Sequence, residues 1–332
     1  MVKLAIAGMG YIGKVHYDAS QKVGDARVVA VCTSRPGLVQ QHCDSGVHLY
    51  ENYCDMLVQS RPDAVIVCVP TFLHEKYVIE ALAHGCHVLC EKPFALNKET
   101  AEKMVAAKRR AGVVLMVAQV LRFWPQYVEI KRMVEEGKVG SVLSVHAHRL
   151  ATMPTQGDWF RDPAKSGGCL LDLQVHDVDY VYWLLGNPRE IHTVGVRSES
   201  GCWDHVSTTL RYPSAVATIE GGFLMPDTWP FSCSVQVNGT HAAALYNFRV
   251  SGNVSQREHA ADELILYSAG SSSLRVDVHR EDMYVAQLFH FVECVKENRE
   301  SSVCPPQENL DVMALMDASL QSAETGRPVS LD

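Results

Sequence analysis

The chain has 332 residues, 47% of them hydrophobic and 20% charged, with a formal net charge of −8. This length suits two domains of ordinary size, and the composition suits packed cores rather than a disordered chain. The acidic balance argues against nucleic acid as the main partner, and no apolar run approaches the ~18 residues needed to span a bilayer.

Val2-Lys3-Leu4-Ala5-Ile6-Ala7 reads as a buried parallel strand and runs straight into Gly8-Met9-Gly10-Tyr11-Ile12-Gly13. This G-x-G-x-x-G stands where the strand must turn into a helix. Gly8 permits the tight turn, Gly10 lets backbone approach a pyrophosphate, and Gly13 lets helix and strand pack closely. The N–H groups that open the helix, to about residue 23, then face phosphate. Strands follow at 27–32 and 64–69, the second ended by Pro70. Next come a helix at 74–84 stopped by Gly85, a strand at 87–90, a helix at 98–111 and a strand at 113–118. Val/Ile/Leu strands alternating with helices predict a parallel sheet covered on both faces, with ligands beyond the carboxyl ends of its strands. That rule gathers the dinucleotide-binding candidates: Gly8, Gly10, Tyr11, Ile12, Gly13, Thr33, Ser34, Arg35, Pro70, Thr71, His74, Glu91, Lys92 and Gln119.

After residue 120 the pattern changes. A helix at 125–136 precedes a strand at 141–149, an irregular stretch and a single helix at 170–185 that ends at Gly186. Period-two alternation from 191 to about 278 predicts a mostly antiparallel open sheet, with one face on helices and the other a natural surface for oligomer formation. Helices at 284–298 and 306–325 close the chain. The expected class is α/β, with a dinucleotide-binding domain at 1–120 and a substrate-binding and oligomerisation domain at 121–332.

The eleven cysteines are scattered without a C-x-x-C, and Cys32, Cys68 and Cys90 sit at or near strand ends as small hydrophobes. A reducing, cytoplasmic setting without disulfides or a metal site is expected, and a strand from residue 2 leaves no room for a signal peptide. Asn238-Gly239-Thr240 and Asn253-Val254-Ser255 read as turn sequences.

Three segments carry candidate chemistry. Glu91-Lys92-Pro93 places a lysine at the carboxyl edge of the sheet, with Pro93 holding Lys92 extended and compatible with a cis bond; a surface lysine before a turn is the plainer reading. Gly167-Gly168-Cys169-Leu170-Leu171-Asp172-Leu173-Gln174-Val175-His176 spaces Asp172 and His176 four apart, on one face of a continuous helix, where they equally suit a structural hydrogen bond. Two such ligands without a third do not make a metal site. Arg122-Phe123-Trp124-Pro125 and Trp159-Phe160-Arg161-Asp162-Pro163 combine rings with guanidinium groups, which suits a polyhydroxylated ligand, or core aromatics beside a salt bridge.

Together these elements resemble the glucose–fructose oxidoreductase / inositol dehydrogenase / rhizopine-catabolism (Gfo/Idh/MocA) family, in order and spacing and over essentially the whole chain. The resemblance implies a Rossmann domain followed by an α/β domain with a large open sheet, commonly paired in dimers or tetramers. Lys92, Asp172 and His176 match the family's catalytic lysine, aspartate and histidine. Cys169 and Gln174 depart from its pattern, standing where glycines are common. The implied activity is hydride transfer between a nicotinamide and a secondary hydroxyl or ketone of a sugar, sugar acid or cyclitol. Lys92, Arg122, Trp159, Arg161, Asp172 and His176 are then the substrate-binding candidates, with residues 153–156, Arg149, Trp229 and His241 as further specificity positions. No carboxylate follows the second strand, where Ser34 and Arg35 suit a 2′-phosphate, so NADP is expected over NAD. A redox-neutral glycoside-cleaving enzyme and a non-catalytic dinucleotide sensor are the competing classes.

Overall fold

The computed structural model describes residues 1–155, 157–250, 261–270 and 272–331. They form two compact units, Met1–Phe123 with Glu281–Met313, and Trp124–Arg280 with Ala314–Asp332.

The first unit is built on six parallel strands: β1 (Val2–Ala7), β2 (Ala26–Cys32), β3 (His48–Tyr50), β4 (Ala64–Val67), β5 (His87–Cys90) and β6 (Leu115–Val117). Their order is β3-β2-β1-β4-β5-β6. The chain winds outward from β1 in both directions, so the sheet has a switch point at β1/β4, where open α/β sheets bind ligands. Helices Tyr11–Ser20, Tyr53–Ser60, His74–Ala83 and Lys98–Ala111 accompany the strands. The last of these shows how local sequence sets its ends. The Asn97 side chain accepts from Thr100 N at 2.9 Å, Gly112 closes the helix at φ 68°, and Lys108, Arg109 and Arg110 complement the negative end of its dipole.

Helix Met283–Glu297 also belongs to the first unit, so the spatial division differs from a boundary drawn along the chain at 120/121. The reason lies in its apolar stripe. Leu288, Phe291, Val292 and Val295 join Val2, Leu4, Ile6 and Met116 in one buried cluster. Full burial of each such side chain stabilises by about 1.5–3 kcal/mol, which holds the returning helix on the sheet. Helix Pro306–Thr325 falls in the first unit up to Met313 and in the second from Ala314.

The second unit carries nine strands: β7 (Val142–Leu150), β8 (Glu190–Arg197), β9 (Trp203–Arg211), β10 (Val216–Gly222), β11 (Phe231–Gly239), β12 (Ala242–Val250), β13 (Ala261–Ser268), β14 (Leu274–Arg275) and β15 (Val329–Ser330). Their order is β14-β13-β12-β11-β7-β10-β9-β8-β15, antiparallel except for the parallel β7–β10 pair. Alternation sets the faces. Val145, Ala147 and Arg149 are buried, while His146 is exposed and His148 half-buried. Helices Pro125–Glu135 and Val175–Leu185 supply buried aromatics to the core, with the Tyr127 and Tyr180 rings edge to face at 4.8 Å.

The α/β class and both sheets follow the expectation. Three short elements do not: β3, helix Tyr53–Ser60 and β15 carry too few apolar residues to show a period. Gln156 and the sequon at residues 253–255 lie outside the described residues.

Candidate active site

In the first unit, the glycine turn is fixed by backbone. Gly8 takes φ 93°, and its N–H donates to Cys32 O at 2.9 Å, so the turn abuts the end of β2. A side chain at Gly8 would stand 2.7 Å from Cys68 O, and one at Gly13 would stand 2.1 Å from Gly8 O, so helix and turn pack as only glycine allows. At Gly10, by contrast, an added Cβ meets nothing within 4 Å. Gly10 is also the N-cap of helix Tyr11–Ser20, with no side-chain cap and no acidic residue in the first turn. Tyr11 is exposed and Ile12 half-buried beside it. Open backbone donors at a helix start, with no competing carboxylate, fit a dinucleotide's phosphates.

The Thr33 backbone N–H donates to Tyr50 O at 2.9 Å, and Thr33 Oγ1 accepts from Arg35 N at 3.2 Å. Ser34 and Arg35 are both exposed. After β4, Pro70 is half-buried and Thr71 buried in a short 3-10 turn.

Lys92 follows β5, half-buried, and its bond to Pro93 is cis. Two buried side chains brace this loop. Glu91 Oε2 accepts from Lys92 N at 3.1 Å, while Glu91 Oε1 lies 2.6 Å from His16 Nε2. His16 Nδ1 is buried without a partner, so a neutral ring that donates through Nε2 satisfies the pair best. His74 is also buried, its ring nitrogens 2.9 Å from Val69 O and 3.0 Å from Pro93 O. Burial lowers its pKa against the pull of those carbonyls.

The sequence reading put Glu91, His74, Gln119 and Arg122 against ligands. The structure commits their polar groups to the protein itself. Gln119 Nε2 donates to Asn309 Oδ1 at 3.1 Å, leaving Oε1 buried without a partner. Arg122 is 2% exposed, donating to Val303 O at 2.8 Å and forming an ion pair with Glu308. A guanidinium taken out of water needs such partners, and they brace the loops that carry the turn and the lysine.

In the second unit, the expected helix at 170–185 is two helices, Gly168–Asp172 and Val175–Leu185. Asp172 ends the first and is buried; His176, half-buried, lies in the first turn of the second. The pair therefore does not share the face of one regular helix. Gly167 and Gly168 precede them at φ 71° and 68°. Cys169 N donates to the buried Asp204 Oδ1 at 3.1 Å, pinning the segment to β9. Trp159 and Phe160 stack at 3.9 Å in the short turn Asp158–Arg161, where Arg161 is exposed. Arg149, a specificity candidate, is instead buried in an ion pair with Asp177. Sequence reasoning missed His16, Asp177 and Asp204, whose partners lie 75, 28 and 35 residues away. Among the described residues no group of three or more His, Cys, Asp or Glu side chains is placed to hold a metal ion.

The chain's similarity to known proteins agrees with this arrangement. The oxidoreductase family, NAD-binding Rossmann fold, of the Gfo/Idh/MocA group matches residues 2–119, and the GFO/IDH/MocA C-terminal domain matches residues 127–245. D-xylose 1-dehydrogenase (NADP(+)) 2 of Haloferax volcanii is 30% identical over 286 residues, 85% of each chain. D-glucoside 3-dehydrogenase of Escherichia coli is 26% identical over 352 residues, 99% of this chain and 97% of the other. The crystal structure of aldose-aldose oxidoreductase from Caulobacter crescentus, complexed with glycerol, shares the fold at a TM-score of 0.85 and 22% identity, over 99% of both chains. The chain belongs to the Gfo/Idh/MocA family of NAD-binding oxidoreductases.

Proposed function

We propose that the enzyme moves a hydride between NAD(P) and a secondary hydroxyl or ketone of a sugar, sugar acid or cyclitol. The observation that carries this reading is in the first unit: the open helix start at Gly10 and the braced Lys92 both stand at the carboxyl edge of one parallel sheet. The named activities of the D-xylose and D-glucoside dehydrogenases support the substrate class.

A bound nicotinamide supplies the carbon that accepts or returns the hydride. The chain's own work is proton handling and charge. His176 is the general base for the hydroxyl proton, since imidazole titrates nearest neutrality of the ordinary side chains. Asp172 orients that ring or holds a neighbouring hydroxyl. Lys92 stabilises the oxyanion that develops as the proton leaves. Trp159 offers a ring face to sugar C–H groups, and Arg161 offers donors to hydroxyls. Exposed Ser34 and Arg35 favour the 2′-phosphate of NADP over NAD.

Free thiols at all eleven cysteines suit a reducing, cytoplasmic compartment. Exposed Leu143, Val194, Val196 and Val216 on the nine-stranded sheet support pairing of copies into a dimer or tetramer. The reading is tested by nicotinamide absorbance with sugars, sugar acids, inositols and their keto forms, using each cofactor in both directions. Net turnover with one class supports it. Cofactor binding without net change on any of them overturns it and moves the assignment to redox-neutral cleavage of glycosides.

A further inference from the structure

Gln174 stands between Asp172 and His176, where this family commonly has glycine. Its backbone makes the break between the two helices. Leu173 N donates to Cys169 O at 3.0 Å, and Gln174 N donates to the same oxygen at 3.0 Å from one residue further on. That second step spans five residues, a wide turn of the π type. Regular bonding resumes with Val178 N to Gln174 O at 3.0 Å. The extra residue in the turn rotates everything after it, His176 first.

The side chain is fully buried and satisfied on both sides. Gln174 Nε2 donates to Ile219 O on β10 at 3.0 Å, and Oε1 accepts from Thr208 Oγ1 on β9 at 3.0 Å. Thr208 Oγ1 lies 2.9 Å from Thr193 Oγ1 on β8, which is 3.1 Å from Ser319 Oγ. Room for the side chain comes from Gly221 on β10, where a Cβ would stand 3.2 Å from both Gln174 Cβ and Cys169 Sγ. A residue that only filled space would not need its donor and acceptor matched to two different strands.

We propose that Gln174 is a positioning residue: its amide pins the wide turn to β9 and β10 and so fixes where His176 stands relative to Asp172. The proposal rests on the reading of His176 as the proton-transfer group, but its test does not require a known substrate. The full chain is labelled with ¹³C-histidine, and the His176 ring signal is assigned by its loss in His176→Gln. The parent is compared with Thr208→Val, Thr208→Ser, Gln174→Ala and the Thr208→Val/Gln174→Ala pair.

The expected result is one narrow His176 signal in the parent and in Thr208→Ser. Gln174→Ala and Thr208→Val each shift and broaden it, and the pair does no more than either alone, since both remove one clamp. Turnover of D-xylose or another sugar found active falls about tenfold in those two variants, and the NAD(P)H dissociation constant stays within about twofold. An unchanged His176 signal in both variants, with only the melting temperature lowered, overturns the proposal and leaves Gln174 as core packing. Thr208→Val, which trades a hydroxyl for a methyl, keeps the test decisive if Gln174→Ala fails to fold. A moved ring signal with no sugar turnover in the parent upholds the positioning role and counts against the dehydrogenase reading instead.

Discussion

Arg149 and Asp177 form a two-point fork in the second unit, with Nε 2.8 Å from Oδ2 and Nη2 3.0 Å from Oδ1. Both side chains are buried, and Asp177 follows His176 directly, so the fork ties the histidine's helix to β7. Asp177→Ala strands a guanidinium away from water and should cost about 3–5 kcal/mol of stability. Urea unfolding measures it, and Arg149→Met added to Asp177→Ala should recover part of the loss. A cost below about 1 kcal/mol would mean that solvent reaches the pair.

His16 and Glu91 make the corresponding buried bond in the first unit, joining helix Tyr11–Ser20 to the loop that carries Lys92. His16→Phe keeps the bulk of the ring and removes the donor. It should destabilise the chain by about 1–3 kcal/mol, because the Glu91 carboxylate is left short of a partner. Thermal unfolding checks this, and turnover should fall with it since Lys92 N–H is held by the same carboxylate.

His87 gives the fold an acid sensitivity. Its Nδ1 accepts from Val114 N at 3.0 Å, which requires a lone pair there, and burial lowers its pKa from the ordinary value. The sign follows: the unfolded chain takes up the proton near pH 6.5, while the folded chain resists it. The stabilisation is therefore full above about pH 6.5 and is lost as pH falls through the lower folded value. Melting temperatures between pH 7.5 and 5 should fall less steeply in His87→Gln than in the parent. Equal slopes would place the acid sensitivity elsewhere.

The exposed Arg35 makes cofactor choice testable. A charge-assisted bond to a 2′-phosphate contributes about 1.5–3 kcal/mol. Arg35→Ala should therefore weaken NADP binding about 10- to 100-fold and leave NAD within about threefold. Fluorescence titration of the reduced cofactors decides it. Equal losses for both would assign Arg35 to a feature that the two share, such as the adenine ring.

The first sheet was legible because β1, β2, β4, β5 and β6 are apolar runs punctuated by Gly and Pro, and a buried parallel strand leaves that trace in sequence. β3 has three residues and leaves none. The glycine turn and Lys92 were placed by local order alone, since each follows its own strand directly. Side-chain direction was not legible. His74, Arg122 and Gln119 belong to the right loops, but each spends its polar atoms on partners that only the fold brings near. The break between Asp172 and His176 escaped for a similar reason. Leu173 and Gln174 suit a helix, and the wide turn is held by Ile219 and Thr208, which lie 45 and 34 residues from Gln174.

The most direct test of the account is a paired measurement on His176→Ala: turnover of an active sugar and affinity for NAD(P)H on the same preparation. A general base contributes roughly 10²- to 10⁴-fold, so turnover should fall by that factor while cofactor affinity persists. Parent-like turnover in His176→Ala would contradict the assignment of the proton to His176 and with it the proposed mechanism.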